Sequence, residues 1–144
     1  VIPKSNGTNL VASQVSDDGS TVSVTTALKV AGAGITNNIL QNSQSTAYTV
    51  VLADAGKHIY HPNSDATGRT WTIDSNANVA YPVGTAITFV NDCAAGIITL
   101  SITTDTLILA GSGTTGSRTL APCGIATAIK VTSTRWILNG TGLT

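Results

Sequence analysis

The chain has 144 residues, seven Lys or Arg against seven Asp, no Glu at all, and a charged fraction of only 10%. Formal neutrality without a basic cluster argues against a nucleic-acid partner, and no apolar run approaches the ~20 residues of a membrane-spanning helix. Charge this sparse, where about 25% is usual in soluble domains, points to a surface covered by other copies or partners.

The length fits one domain able to bury a core without staples. No charged start followed by an apolar run marks a signal peptide. Thr, Val and Ile abound while Glu and Met are absent, which removes much of what fills helix surfaces and supplies what fits pleated strands. The composition predicts an all-β protein.

Residues 1–45 form one compositional block. Asn6-Gly7 and Asp18-Gly19 are turn dipeptides. Leu10 to Val15 between them is a short strand candidate, and Ser20 to Thr25 alternates polar and apolar residues at period two. Ala31-Gly32-Ala33-Gly34 breaks the chain, and Ile35 to Ser45 reads as a polar linker. The block is too poor in large apolar residues to fold alone. It is expected to be an extended arm or an intertwined β-shaft, with Val11, Val15, Val22 and Val24 as contacts between copies.

Residues 46–144 are denser in strand signals. Tyr48 to Leu52 and His58 to His61 are candidate strands, the second stopped by Pro62. Thr70 to Ile73 alternates, and Thr85 to Asn91 is the clearest strand, with Ile87 and Phe89 on one face. Ile97 to Ile102, Thr106 to Leu109 and the short Arg118 to Leu120 follow. Ala126 to Thr132 and Arg135 to Asn139 form a hairpin around Ser133-Thr134. No internal repeat is visible. The expectation is an antiparallel β-sandwich or barrel over 46–144, assembled as a trimer.

Few residues offer chemistry. His58 and His61 are three apart, so on a strand they point to opposite faces and cannot chelate one metal within a chain; only a three-fold axis could gather copies of one of them. Asp54, Asp65, Asp74, Asp92 and Asp105 fall in predicted turns, and Asp17-Asp18 stands before Gly19. There, Asp ordinarily accepts local backbone N–H groups. A glycosidase pair would need two carboxyls facing one another across a sugar. No Gly-x-Ser-x-Gly elbow occurs, and the glycines of Gly111 to Gly116 lack the Gly-Lys-Ser/Thr ending of a phosphate loop. Arg69 and Trp71 make the best candidate pair for a glycan contact, although both tryptophans lie in alternating strands and read better as core. Cys93 and Cys123 either form one disulfide or stand as two thiols. No enzyme, cofactor or metal is expected.

Two stretches carry a resemblance. Gly7-Thr8-Asn9-Leu10-Val11-Ala12-Ser13-Gln14-Val15, followed by Asp17-Asp18-Gly19-Ser20-Thr21-Val22, resembles a phrase of phage fibre proteins that builds trimeric β-shafts. Leu52 to Ile59, Trp71-Thr72-Ile73, Pro82 to Asn91, Gly113 to Ala121 and Lys130 to Leu143 resemble a module found in many phage and prophage structural proteins. This second resemblance covers most of residues 46–144 and rests on turn and strand phrases. It implies a structural role on the exterior of a tailed-phage virion and carries over no active-site residue. Cys93 and Cys123 depart from it, standing at turn positions where small or polar residues are expected, and their joint appearance fits a contact between the two turns.

Three functions follow for comparison. The first is a trimeric capsid decoration (cement) protein bound to the major capsid protein or other virion proteins. The second is a fibre or spike module that meets a host cell-surface glycan. The third is a glycan-degrading enzyme.

Overall fold

The computed structural model describes residues 38–144 throughout and, within the first 37, only the backbone of six short strands. Those strands are β1 (Lys4–Ser5), β2 (Leu10–Val11), β3 (Val15–Asp17), β4 (Val22–Val24), β5 (Lys29–Val30) and β6 (Ala33–Gly34). They pair antiparallel two by two as β1–β2, β3–β4 and β5–β6. Where the sequence pointed to an extended arm or an intertwined β-shaft, the described strands pair with one another within the chain. The side chains of Val11, Val15, Val22 and Val24, expected to touch other copies, lie outside the described residues.

Contacts divide the chain into two units, residues 1–38 and 39–144. The linker expected up to residue 45 needs correction. Gln41–Ser43 is a strand, β7, that pairs with a later strand. Its polar side chains hid it, because an edge strand needs only backbone partners.

The second unit continues with β8 (Tyr48–Thr49), a 3-10 turn (Leu52–Asp54), β9 (His58–His61), β10 (Arg69–Ile73), β11 (Ala86–Asn91) and β12 (Ile98–Ile102). It ends with β13 (Thr106–Leu109), β14 (Arg118–Thr132) and β15 (Arg135–Leu143). Successive strands alternate between two parallel stacks. β7, β9 and β11 pair in parallel in one, and β8, β10 and β12 in the other. The long β14 joins them. Its second half pairs antiparallel with β11 and its first three residues with β12. β15 pairs antiparallel with β14 and parallel with β13. The result is a single curled sheet in the order β7-β9-β11-β14-β12-β10-β8, with β15 and β13 branching from β14.

The all-β expectation is met, but the antiparallel one is not. Every pairing among β7 to β12 is parallel, and the antiparallel ladders of this unit belong to β14. The reason lies in the connections. A strand that crosses to the other stack returns to its own only after a crossover, and that path delivers parallel neighbours.

The core lies where the two stacks face each other. Ile59, Ile87 and Phe89 from one stack meet Trp71, Ile73, Ile98 and Leu100 from the other, all buried. The Trp71 and Phe89 rings pack with centroids 6.1 Å apart. Alternation along β11 puts Ile87, Phe89 and Asn91 inside, and Ala86, Thr88 and Val90 outside, at intermediate exposure. A bulge between Leu120 and Ile125 lets β14 turn from one stack to the other. Within it, Cys123 at φ 58° is the one non-glycine residue of positive φ among the described residues. β15 crosses this region so closely that a Cβ on Gly140 would meet Ile125 O at 2.1 Å.

Candidate functional site

The register of the strands places two outward faces of contrasting chemistry on the sheet. On the first stack, Val90, Ile125 and Thr141 align across β11, β14 and β15, and so do Thr88, Thr127 and Asn139. A third row runs Ala86, Ile129, Ile137 and, on β13, Ile108. Ile125, Ile129 and Ile137 are 49%, 45% and 36% exposed, and Val131 beyond them is 37% exposed. None of these outward positions carries a charge. Thr88 and Thr127 join their hydroxyls at 2.9 Å.

The second stack presents hydroxyls instead. Thr49, Thr72 and Ser101 form one rank across β8, β10 and β12, and Thr70, Thr99 and Thr119 form another. Neighbouring hydroxyl-bearing residues of one rank thus stand about 4.8 Å apart, the spacing of adjacent strands.

The residues singled out in the sequence fall inside this frame. His58 and His61 do point to opposite sides of β9: His61 is buried and His58 only partly so. His58 Nε2 lies 3.1 Å from Gln41 Nε2. His61 sits between two acceptors, Asn91 Oδ1 at 3.0 Å from Nδ1 and Asp65 Oδ2 at 3.1 Å from Nε2. Asn91 is oriented by its Nδ2, which donates to the carbonyls of Gly96, Leu120 and Ala121. Asp65 also accepts from Arg69 Nε at 2.9 Å and from the Thr67 N–H. Desolvation pushes the Asp65 carboxyl up, but the Thr67 N–H, Arg69 and His61 pull it down further, and it sits well below the usual carboxylate range.

The glycan pair is not assembled. Trp71 is fully buried, edge-on to His61, and its Nε1 donates to Thr46 O. Arg69 is committed to Asp65. The alternation of β10 turns Trp71 inward and leaves Thr70 and Thr72 outward.

Of the other aspartates, Asp54 and Asp74 accept local backbone N–H groups as turn residues do, whereas Asp92 and Asp105 take their donors from distant parts of the chain. Asp54, 1% exposed, accepts from Asn42 Nδ2, Tyr48 Oη and the Val51 N–H. Burial together with Asp54 raises the Tyr48 phenol, and burial above all raises that of Tyr81. Asp74 is held low by the Ser75 N–H and the Asn78 amide, Asp92 accepts from Tyr60 Oη, and Asp105 from the Asn76 N–H. The side chains of Asp17 and Asp18 lie outside the described residues. A shallow cleft of about 350 Å³ opens between the start of β13 and the loop before β14, lined by Thr103, Asp105, Thr106, Leu107, Thr115 and Ser117.

Of the two alternatives for Cys93 and Cys123, the structure has two free thiols. The turns do touch, since the Cys123 N–H donates to Cys93 O at 3.3 Å. The side chains part company: Cys93 Sγ is buried and accepts the N–H groups of Ala95 and Gly96, while Cys123 is exposed.

One residue escaped the sequence reasoning. Lys130 is 1% exposed; its Nζ donates to Asn76 Oδ1 at 2.6 Å and lies 6.0 Å and 5.6 Å from the ring centres of Tyr81 and Trp136. Its signal was the phase of β14, in which Ala126, Ala128 and Lys130 all fall on the buried side.

Among the described residues, no group of three or more His, Cys, Asp or Glu could hold a metal ion, and no helix is long and apolar enough to cross a membrane. Comparisons with protein-family models, curated proteins and solved structures return no match.

Proposed function

We propose that this chain is a non-enzymatic structural protein of a tailed-bacteriophage virion, exposed on the particle and working as a homotrimer. The observation that supports this reading is the scarcity of charge in the outward rows of both stacks, where aliphatic and hydroxyl side chains stand instead and Arg135 at the start of β15 is the exception. A sheet face meant for water is ordinarily polar, and exposed strands are commonly guarded by charge. A neutral, β-branched face suits burial against copies of itself, the major capsid protein or another virion protein. The engagement of Asp54, Asp65, Asp74, Asp92 and Asp105 with donors of the chain itself supports the same reading.

The first form of the proposal is a capsid decoration protein. The second, a fibre or spike module facing a host glycan, is favoured by the three successive hairpins that precede the larger unit. Quantitative mass spectrometry of purified virions separates them. Several hundred copies per particle mean decoration, a few tens or fewer mean a fibre, and absence from virions sinks both. Hydrolysis of a host polysaccharide that is lost on Asp54→Ala, Asp65→Ala or His58→Ala would replace the structural role with an enzymatic one.

A further inference from the structure

We infer that the outward aliphatic face of β11, β14, β15 and β13 is the surface through which copies of this chain meet; the inference rests on the homotrimer proposed above and names its contact.

Three observations carry it. The first is sidedness. Strands β11 and β14 already bury one face, with Ile87, Phe89, Ala126 and Ala128 inside. Their other face should then be polar, yet it displays Ile125, Ile129 and Val131, with Ile137 beside them on β15. The register makes this a continuous patch, because Ile129 stands directly across from Ile137 and Ile137 from Ile108.

The second is charge. Among the aligned outward positions of β11, β14 and β15, the one Asp, Lys or Arg is Arg135, at the start of β15 across from Thr132. The patch of Ile125, Ile129 and Ile137 itself offers a charged partner nothing to pair with, whereas an identical aliphatic patch buries no unpaired ion there. Lys130, near the end of β14, turns inward.

The third is area. Four strands, β11, β14, β15 and β13, carry the aliphatic face side by side, and β9 and β7 continue the sheet with the outward polar side chains of His58, Tyr60, Gln41 and Ser43. At adjacent-strand spacing the four span roughly 19 Å by about 20 Å, or roughly 400 Å² before side-chain relief is counted. That is about half of the ~800 Å² each partner contributes to a stable interface, and the polar strands beside it supply the rim. The hydroxyl face of the other stack carries a single exposed aliphatic side chain, Ile97 at its edge, and supplies the control.

The experiment uses the full chain. Sedimentation equilibrium at micromolar concentration should give about three times 14.6 kDa. Thr72→Lys, on the hydroxyl face, should leave that mass unchanged. Ile129→Lys with Ile137→Lys should give a monomer that keeps its far-ultraviolet circular dichroism. A trimeric double variant overturns the inference and leaves the homotrimer standing; a monomeric parent chain overturns both. Should the double variant aggregate, Ile137→Cys in a Cys93→Ser, Cys123→Ser background decides instead. Prepared as an equal mixture of ¹⁴N- and ¹⁵N-labelled chains and treated with a short bismaleimide, it should yield mixed-isotope cross-links. Absence of cross-links between copies, as when residues of the same chain cover the face, overturns the inference.

Discussion

Lys130 and Trp136 face each other directly across β14 and β15, and the lysine ammonium lies 5.6 Å from the centre of the indole ring, out of water. Tyr81 closes the other side at 6.0 Å, and its ring stands edge-on to Trp136 with centroids 5.4 Å apart. The cation is thus held by two rings and one amide oxygen, and its four-carbon stem fills core volume.

Lys130→Ala is therefore expected to cost about 3 kcal/mol, mostly from the void left by the stem. Lys130→Met keeps the volume and ends the burial of a charge, which offsets the lost ring contacts and hydrogen bond, so its cost should stay within about 1 kcal/mol. Urea unfolding midpoints of the two variants measure the difference. Equal losses would mean that the charge, rather than the stem, holds this corner.

Asp65 sets a dependence on acid. Its folded carboxyl lies below the ordinary range, so its contribution is fully present above about pH 4, the unfolded range. It declines as the pH falls from there towards the folded value. Asp65→Asn removes that contribution. The parent chain and the variant should differ in denaturant midpoint at pH 7 and converge as the pH is lowered towards 2. A difference that grows in acid would reverse the sign of the argument.

The thiols should behave unequally. Cys123 is exposed and Cys93 buried, so a thiol reagent added to the native protein should modify one cysteine promptly and the second only after unfolding. Mass mapping of the labelled peptide should place the fast site at Cys123. Two unreactive cysteines that become reactive only with reductant would establish a disulfide.

Gly140 has no room for a side chain. A methyl there would meet Ile125 O and the Ala126 Cα well inside van der Waals contact, and both are backbone atoms of the adjacent strand. Gly140→Ala should cost at least about 2 kcal/mol. Gly113→Ala provides a contrast, since nothing lies within 4 Å of its Cβ position and only its φ of 71° is strained. A thermal melt of each tests the ranking.

Much of the strand content was legible because alternation survives wherever one face is buried. Thr70 to Ile73 and Thr85 to Asn91 announced themselves in this way, and the alternation of the first is enough to turn Trp71 inward. The pairing of those strands was not legible. His58 lies 17 residues after its partner Gln41, but Thr88 lies 30 after His58. Likewise Trp71 lies 23 after Tyr48 and Leu100 lies 29 after Trp71. Layers of such unequal length leave no repeat for a sequence to display. The candidate surface stayed hidden for a related reason. Ile125, Ile129 and Ile137 look like any other strand aliphatics until the phase set by Ala126, Ala128 and Trp136 shows that they point away from the core.

The position of β14 has a consequence for the order of events during synthesis. Residues 118–132 supply the ladder partner of both β11 and β12. Until the ribosome has released them, each stack ends in a strand with open backbone donors and acceptors, and the two have no common member. Neither can be finished ahead of the other, and no early layer can settle for good on local contacts. Maturation should therefore be late, slow and all at once, as expected where distant pairings dominate. Nascent chains halted before residue 118 should be the species most prone to join edge to edge with one another.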